Sequence, residues 1–414
     1  MAQARRPPRD SSPLVLILVQ NLPLPGDRRV WMEAITLRDA GYRVAAITPA
    51  GAGDPSYELH EGVHLYKYKA PSLTSSVVSF IWEFAYCWLR TFFLTLKVAR
   101  RHGRPAVIQG CNPPDTFFLI GAIMRIAGSR YVFDQHDLNP ELYESRFGKR
   151  GPLYSALRLL ERATYRTAAE TIVTNESYAD VARTRGKLPA DRVTVVRTGP
   201  DTSVLKPGPP EPALRRGRAH LVHFHGVMGP QDGVEIVVQA IRDIVKDRAR
   251  TDIAFNVLGA GDEFPRLRRL VTDLGLDDVV WMPGRVTDEQ LFQSMSTADV
   301  GLSPDPPSPL NDVSTMNKTL EYLAFGLPVL AFDLRETRVI AGQAADYVSP
   351  ATAAAYADAL LALLDDAPRR TRMSAKGRRL AVRDLDWRFQ ATAYLAVYAR
   401  LAPLGLGVAV THSN

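Results

Sequence analysis

The sequence is poor in cysteine: Cys87 and Cys111 are the only two thiols in 414 residues. Two thiols make neither a disulfide framework nor a four-thiolate zinc site, so a reducing cytoplasm is the expected compartment. Long uncharged apolar runs are also lacking. The run 14–19 is too short for a signal-peptide core or a membrane span, and the most apolar stretch, 77–98 (VVSFIWEFAYCWLRTFFLTLKV), is interrupted by Glu83, Arg90 and Lys97. No block of Lys and Arg reaches the length of a nucleic-acid arm, and no zinc-finger or RNA-recognition pattern occurs, so nucleic acid is not an expected partner. The balance of 51 basic and 44 acidic residues gives +7, a mild excess that suits phosphorylated ligands, an anionic membrane surface or plain solubility. The third glycine of a dinucleotide loop is missing after Gly259-Ala-Gly261, and no NAD is expected. His220, His223 and His225 alternate without a carboxylate or thiol at ligand spacing; they read as core or cleft-lining imidazoles, and no metal is expected. With 28 Gly, 30 Pro, 46% hydrophobic and 23% charged residues, collagen, coiled coil and wholesale disorder are excluded.

What is present is an alternation of buried strands and helical spacing. Residues 14–20 (LVLILVQ) are followed by a Gly/Pro loop and a helical pattern closed by Gly41, and 42–48, 107–109, 131–134 and 170–174 repeat the strand signal. A Pro-rich break at 206–212 precedes a second series, with strands at 220–225, 253–258, 279–282, 300–303 and 328–332. The α/β class follows, as two successive doubly wound parallel-sheet domains: a disordered tail 1–13, a first domain 14–205, a second domain 206–385 and a terminal segment 386–414. In such sheets ligands bind beyond the carboxyl ends of the strands, so the residues just after each strand are the ones to inspect.

The most informative stretch is Asn317-Lys-Thr-Leu-Glu-Tyr-Leu-Ala-Phe-Gly-Leu-Pro-Val329, a helix closed by Gly326 before Pro328 opens a strand. Lys318 and Glu321 lie one turn apart. A carboxylate on the first turns of a helix can accept both hydroxyls of a ribose, and free N–H groups at a helix start favour phosphate. The plainer reading is a surface i,i+3 ion pair. After the first strand, Pro25-Gly-Asp-Arg-Arg29 offers Gly26 for close backbone approach and Arg28 or Arg29 for a phosphate, or else two surface arginines capped by Asp27. The segment 77–101, rich in Phe, Trp and Tyr and ending in Lys97, Arg100 and Arg101, fits either an interfacial helix or a buried one.

The block 317–329 resembles the Glu-Tyr-Met-Ala-x-Gly-x-Pro-Val signature of the family-4 retaining glycosyltransferases, which have the GT-B fold of two Rossmann-like domains. Further blocks follow in the family's order: Asp27-Arg-Arg-Val-Trp31, Gly110-Cys-Asn-Pro-Pro-Asp115, Asp134-Gln-His-Asp-Leu-Asn-Pro-Glu141, His225 to Gly233, Leu258-Gly-Ala-Gly261, Gly284-Arg-Val286 and Ala298 to Pro304. The resemblance runs from about Val15 to Tyr398. It implies that Glu321 binds ribose, that Arg285 and Val286 sit in the loop meeting the nucleobase, and that His136 faces the transferred sugar. Asp134, Asp137 and Glu141 are expected to orient His136 and favour its charged form, and Asn112, Asp137 and Glu141 to stand on the acceptor side. Trp387 to Leu401 resembles the last GT-B helix, which crosses back onto the first domain. No cofactor beyond the nucleotide sugar is implied.

Two departures from the pattern stand out. An acid eight residues before Glu321 is replaced by Val313, with Asp312 one position off, so Ser314, Thr315 and Asn317 are expected to present short polar groups and amides to the donor. The Arg and Lys that hold the diphosphate in many relatives are replaced by Val227 and Asp232. Lys318, Arg338 and the amides from Gly226 to Gly229 are expected to take that role, with pairing of Arg338 to Glu336 as the plainer reading. The whole reads as a retaining transferase moving a sugar from a UDP- or GDP-sugar to a glycan, lipid-linked or small-molecule acceptor, as in surface polysaccharide assembly, cytoplasmic and in contact with the membrane if 77–101 is interfacial. A sugar-nucleotide epimerase and a catalytically silent partner protein of the same fold are the alternatives.

Overall fold

The computed structural model describes residues 11–71 and 77–404, with backbone alone for 77–81. Residues 1–10 of the expected tail and 405–414 lie outside the described residues. The described residues form two compact units: one of 11–71, 77–140, 150–196 and 391–404, the other of 141–149 and 197–390. The passage between them falls at 196/197, not in the Pro-rich segment. Leu205 is part of the second unit's core, the Thr202 backbone N–H donates to Asp386 at 3.1 Å, and the Gly208 and Glu211 amides bond Ser296 and Thr297 at 3.0 and 2.8 Å. The prolines therefore mark a strap laid on the second unit.

The first unit is built on an eight-stranded sheet of β1 Leu14–Leu18, β2 Arg43–Pro49, β3 Tyr57–His60, β4 Val63–Tyr68, β5 Val107–Cys111, β6 Arg130–Gln135, β7 Glu170–Val173 and β8 Val193–Val195, in the order β3-β4-β2-β1-β5-β6-β7-β8. All neighbours are parallel except β3 and β4. β1, with five consecutive buried residues, has the continuous apolar composition of a strand covered on both faces. The β3–β4 hairpin was not expected. Its turn places Glu61 (φ 44°) and Gly62 (φ 80°) in the left-handed region, which matches the twist of a two-residue hairpin.

The second unit holds β9 His220–Val227, β10 Ile253–Ala260, β11 Val280–Gly284, β12 Val300–Ser303, β13 Val329–Phe332 and β14 Ala345–Val348, all parallel, in the order β11-β10-β9-β12-β13-β14. Strand order reverses between β9 and β12. That is the switch point of a doubly wound sheet, and the crevice lies beyond their carboxyl ends. A Cβ on Gly259 would sit 1.9 Å from the Gly226 carbonyl and one on Gly261 2.5 Å from that of Met228, so the turn after β10 needs glycines to pass the end of β9.

The terminal helix Trp387–Leu401 joins the first unit from Ala391 onward. There Tyr394 and Tyr398, both fully buried, bond the side chain of Gln109.

Candidate functional site

In the first unit the helix Arg28–Asp39 follows β1, capped by Asp27, which accepts from the Val30 N–H at 3.2 Å. Its buried face carries Val30, Ala34 and Leu37 together with Arg29 and Glu33. Arg29, only 6% exposed, lies 3.1 Å from Glu33 and 3.2 Å from Asp134, and donates to the Val196 carbonyl at 2.9 Å. His136, just past β6, places Nε2 2.7 Å from Asp134 Oδ2 and 3.1 Å from Arg29 Nε. Gln109 on β5 donates to Glu33 at 2.7 Å and to Asp134 at 2.8 Å.

Burial pulls His136 down, but the charge of Asp134 and its hydrogen bond outweigh it, so the imidazole is held above its ordinary range. Asp134 is opposed by burial and pulled well below the carboxylate range by His136 and Arg29. Glu33 is pushed up to about 8 by burial and by the Asp134 charge. One buried arginine thus neutralises Asp134, Glu33 keeps its proton, and His136 Nε2 lies against both Asp134 and the Arg29 Nε–H. His136 Nδ1 is left without a partner among the described residues, on a side chain 17% exposed. Glu33, Cys111, Asp134 and His136 also bring potential ligand atoms within 4.8 Å of one another, but the guanidinium already supplies a cation there.

These shifts fix a pH dependence. As pH rises from about 5 to about 8, unfolded Glu33 loses its proton while the folded residue keeps it, so stability falls. His136 acts in the same direction above its unfolded value, whereas Asp134 matters only at acid pH, below the ordinary carboxyl range. Glu33→Gln, which keeps a donor toward Asp134, is expected to flatten that decline by roughly 1–3 kcal/mol. Urea unfolding at about pH 5.5 and about pH 8 checks it; parallel declines in both proteins would contradict it.

In the second unit the helix Asn317–Phe325 begins after Met316 without a side-chain cap and ends on Gly326 at φ 64°. The Thr319 N–H bonds the Met316 carbonyl at 3.0 Å, and no side chain caps the N–H groups before it. Glu321 Oε2 lies 2.7 Å from Nε2 of His225, at the carboxyl end of β9. Lys318 is buried, 2.5 Å from Asp305 beyond β12, with its Cε 3.3 Å from where a Cβ on Gly226 would stand. Asp232 is pushed up to about 6 by burial, with Asp305 adding and Lys318 opposing. Glu321, Lys318, Gly226 and His225 therefore gather at the switch point.

Several expectations are corrected. The Gly229 amide is already bonded to Asp232 at 2.8 Å within its own turn, and the Met228 amide to the Ala260 carbonyl of β10 at 3.1 Å. Arg338 pairs with Asp333 (2.7 Å through Nη2) and lies over the Tyr347 ring, while Glu336 is 3.6 Å from Arg197. Lys318 pairs with Asp305. Asn112 is 2% exposed; its amide donates to Asp115 and the Asp137 carbonyl and accepts from the His136 and Asp137 N–H groups, so it pins that loop. Of the acids expected to orient His136, Asp134 makes the bond. Asp137, raised by burial, adjoins it, and Glu141 belongs to the 141–149 segment of the second unit. Arg28 is half-buried at the helix start and Gly26 is exposed in its turn. Arg285 is exposed after β11, next to half-buried Val286. Ser314 donates to the Leu310 carbonyl at 2.8 Å, Thr315 is half-buried, and Asn317 is exposed at the helix start.

Sequence reading missed Arg29 as the buried centre, Glu33, Gln109, Asp305 and the partnership of His225 with Glu321. The i,i+4 spacing of Arg29 and Glu33 on an apolar face was the available signal. A cavity of about 600 Å³ between the 204–211 strap and the helix Asp288–Thr297 holds none of the expected site residues.

Two Rossmann-like units with a carboxylate on the helix behind one switch point define a GT-B protein. Residues 219–366 match the family described as glycosyl transferases group 1, and 26–199 the glycosyl transferase 4-like domain. The chain belongs to the group 1 glycosyl transferases, of the family-4 type. It is 31% identical over 183 residues to phosphatidyl-myo-inositol mannosyltransferase of Mycobacterium leprae, covering 44% of this chain and 46% of that protein. The chain spans about half the length of the curated relatives it matches, 46%, 56% and 52% for three of them. Its fold is similar to sucrose-phosphate synthase from Thermosynechococcus elongatus, with a TM-score of 0.75, 19% identity and coverage of 94% of this chain and 99% of that one. HepE of Anabaena in complex with UDP and glucose gives 0.71, 16%, 94% and 99%.

Proposed function

We propose that this glycosyltransferase moves a sugar, with retention, from a nucleoside diphosphate donor, UDP or GDP, to a glycan, lipid-linked or small-molecule acceptor. The observation that carries this reading is Glu321, held by His225 at the β9/β12 switch point on a helix whose start has no side-chain cap. Glu321 accepts the ribose hydroxyls, the Asn317 helix start meets the phosphates with Lys318, and Arg285 and Val286 meet the base. That HepE holds UDP and glucose supports the donor class. The acceptor oxygen bonds the anomeric carbon as the carbon–oxygen bond to the diphosphate breaks, and the acceptor proton passes to the leaving phosphate. His136, held by Asp134, offers Nδ1 as a polar group of the first unit. The reaction needs no metal or other cofactor in this reading.

Incubation with UDP- and GDP-sugars tests it, with and without glycan and lipid-phosphate acceptors. Nucleotide release that requires acceptor, giving the donor's anomeric configuration in the product, supports it. Altered donor sugar without acceptor marks an epimerase, and no turnover in a folded protein marks the silent partner.

The acceptor side is proposed to meet a membrane surface at the cytoplasmic face. Among the described residues no helix is long and apolar enough to cross a membrane. The helix Val77–His102 buries Cys87, Thr91, Thr95 and Val98, and exposes Trp82, Leu89 and Phe93 on another face. Lys97, Arg100 and Arg101, all exposed, follow toward its basic end. Phe80 lies among residues whose side chains are outside the described set. Trp82→Ser with Phe93→Ser is expected to lower binding to vesicles containing about 30% phosphatidylglycerol by at least about tenfold. Unchanged co-sedimentation would contradict membrane contact.

A further inference from the structure

Behind Glu321 runs a continuous buried chain of hydrogen bonds. Asn256 on β10 donates to Ser294 Oγ at 2.8 Å, Ser294 Oγ lies 2.8 Å from His223 Nδ1, His223 Nε2 lies 3.0 Å from His225 Nδ1, and His225 Nε2 lies 2.7 Å from Glu321 Oε2. Asn256, Ser294 and His223 are at most 1% exposed. Tyr322, the next residue to Glu321, closes the side: its ring stands at 86° to both imidazoles, and its hydroxyl accepts from the His225 N–H at 3.2 Å and donates to the Leu302 carbonyl at 3.1 Å.

One donor pattern runs through the whole chain to Glu321. With the Asn256 amide nitrogen donating to Ser294, the pattern that carries a donor through to Glu321 has the Ser294 hydroxyl donating to His223 Nδ1 and the His223 proton on Nε2. That proton bonds His225 Nδ1, so the His225 proton also sits on Nε2 and points to Glu321. Burial and the neighbouring His225 hold His223 well below its ordinary value, so its ring stays neutral.

We propose that His223 and His225 are positioning residues whose relay from Asn256 and Ser294 holds Glu321 oriented for a ribose, giving this site its preference for ribonucleotides. The inference rests on the donor-site reading of Glu321. Without the His225 donor the carboxylate can turn away from the diol, which weakens the ribose contact more than the base or phosphate contacts.

The test measures affinities for UDP, GDP and ADP, each beside its 2′-deoxy counterpart, in the full chain and in Glu321→Ala, His225→Leu, His225→Gln and Ser294→Ala. The wild type is expected to prefer the ribonucleotide about tenfold, and Glu321→Ala and His225→Leu to lose that preference. His225→Gln, whose amide reaches the Nε2 position, is expected to restore most of it, and Ser294→Ala to lower it by a few fold. A structural role alone would weaken both nucleotides of a pair equally, and that result overturns the relay. Retained preference in His225→Leu beside loss in Glu321→Ala also overturns it while leaving the donor site standing. If the wild type shows no preference, or Glu321→Ala keeps it, the donor-site reading fails and the relay with it. Should His225→Leu not fold, Ser294→Ala and His225→Gln decide: full preference in Ser294→Ala, or none in His225→Gln, counts against the relay.

Discussion

Asp134→Ala is expected to destabilise the protein by about 3–5 kcal/mol, the largest stability effect of any single change considered. Asp134 is wholly buried and accepts from Gln109, faces Arg29 at 3.2 Å and holds His136 at 2.7 Å. Its removal leaves two buried cations facing a Glu33 that must then ionise at a cost. The exposed Arg338–Asp333 pair sets the scale for comparison, with 53% and 40% of the side chains open to water. Screening and side-chain entropy limit such a pair to about 1 kcal/mol or less, so Arg338→Ala is expected to change little. Urea unfolding at neutral pH compares the two variants. An Asp134→Ala protein within about 1 kcal/mol of wild type would mean that the cluster is not the charged network described.

Glu321→Ala is expected to lower nucleoside diphosphate affinity about a hundredfold with little change in stability. Two hydrogen bonds from ribose hydroxyls to a carboxylate are each worth roughly 1.5–3 kcal/mol, and losing about 3 kcal/mol in total is about a hundredfold. The side chain is 17% exposed on the helix surface, so its loss opens no core cavity. Its absence leaves His225 Nε2 to water, which is a small penalty. Calorimetric titration of both proteins checks the difference, and a loss below about threefold would place the ribose elsewhere.

How much of this was legible in the sequence depended on how local the cause was. The run Leu14–Leu18 announces a covered parallel strand because each of its residues is apolar, whereas Tyr57–His60 is a half-exposed edge strand whose polar composition hides its pairing with Val63–Tyr68. Glu321 was legible because the helix start, Gly326 and Pro328 lie within one short motif. Its partner His225 lies 96 residues earlier, and Asp134 is 105 residues from Arg29. Such contacts depend on which strand ends the sheet order brings side by side, which no window of sequence contains. Arg29 was half-legible. Its spacing with Val30, Glu33, Ala34 and Leu37 places it on the inner helix face, and that periodicity decides against a surface arginine. The Pro-rich 206–212 misled for a physical reason as well: proline suits a strap whose few amides bond side chains of a neighbouring helix just as it suits a linker.

The most direct measurement is thermal stabilisation of the wild type and Glu321→Ala by UDP, GDP, ADP and TDP, because a ligand that binds the native state raises its apparent stability. A nucleoside diphosphate donor site on Glu321 predicts a clear upward shift with one of the four in the wild type, absent in the variant. No shift with any of them, or an equal shift in both proteins, would contradict it.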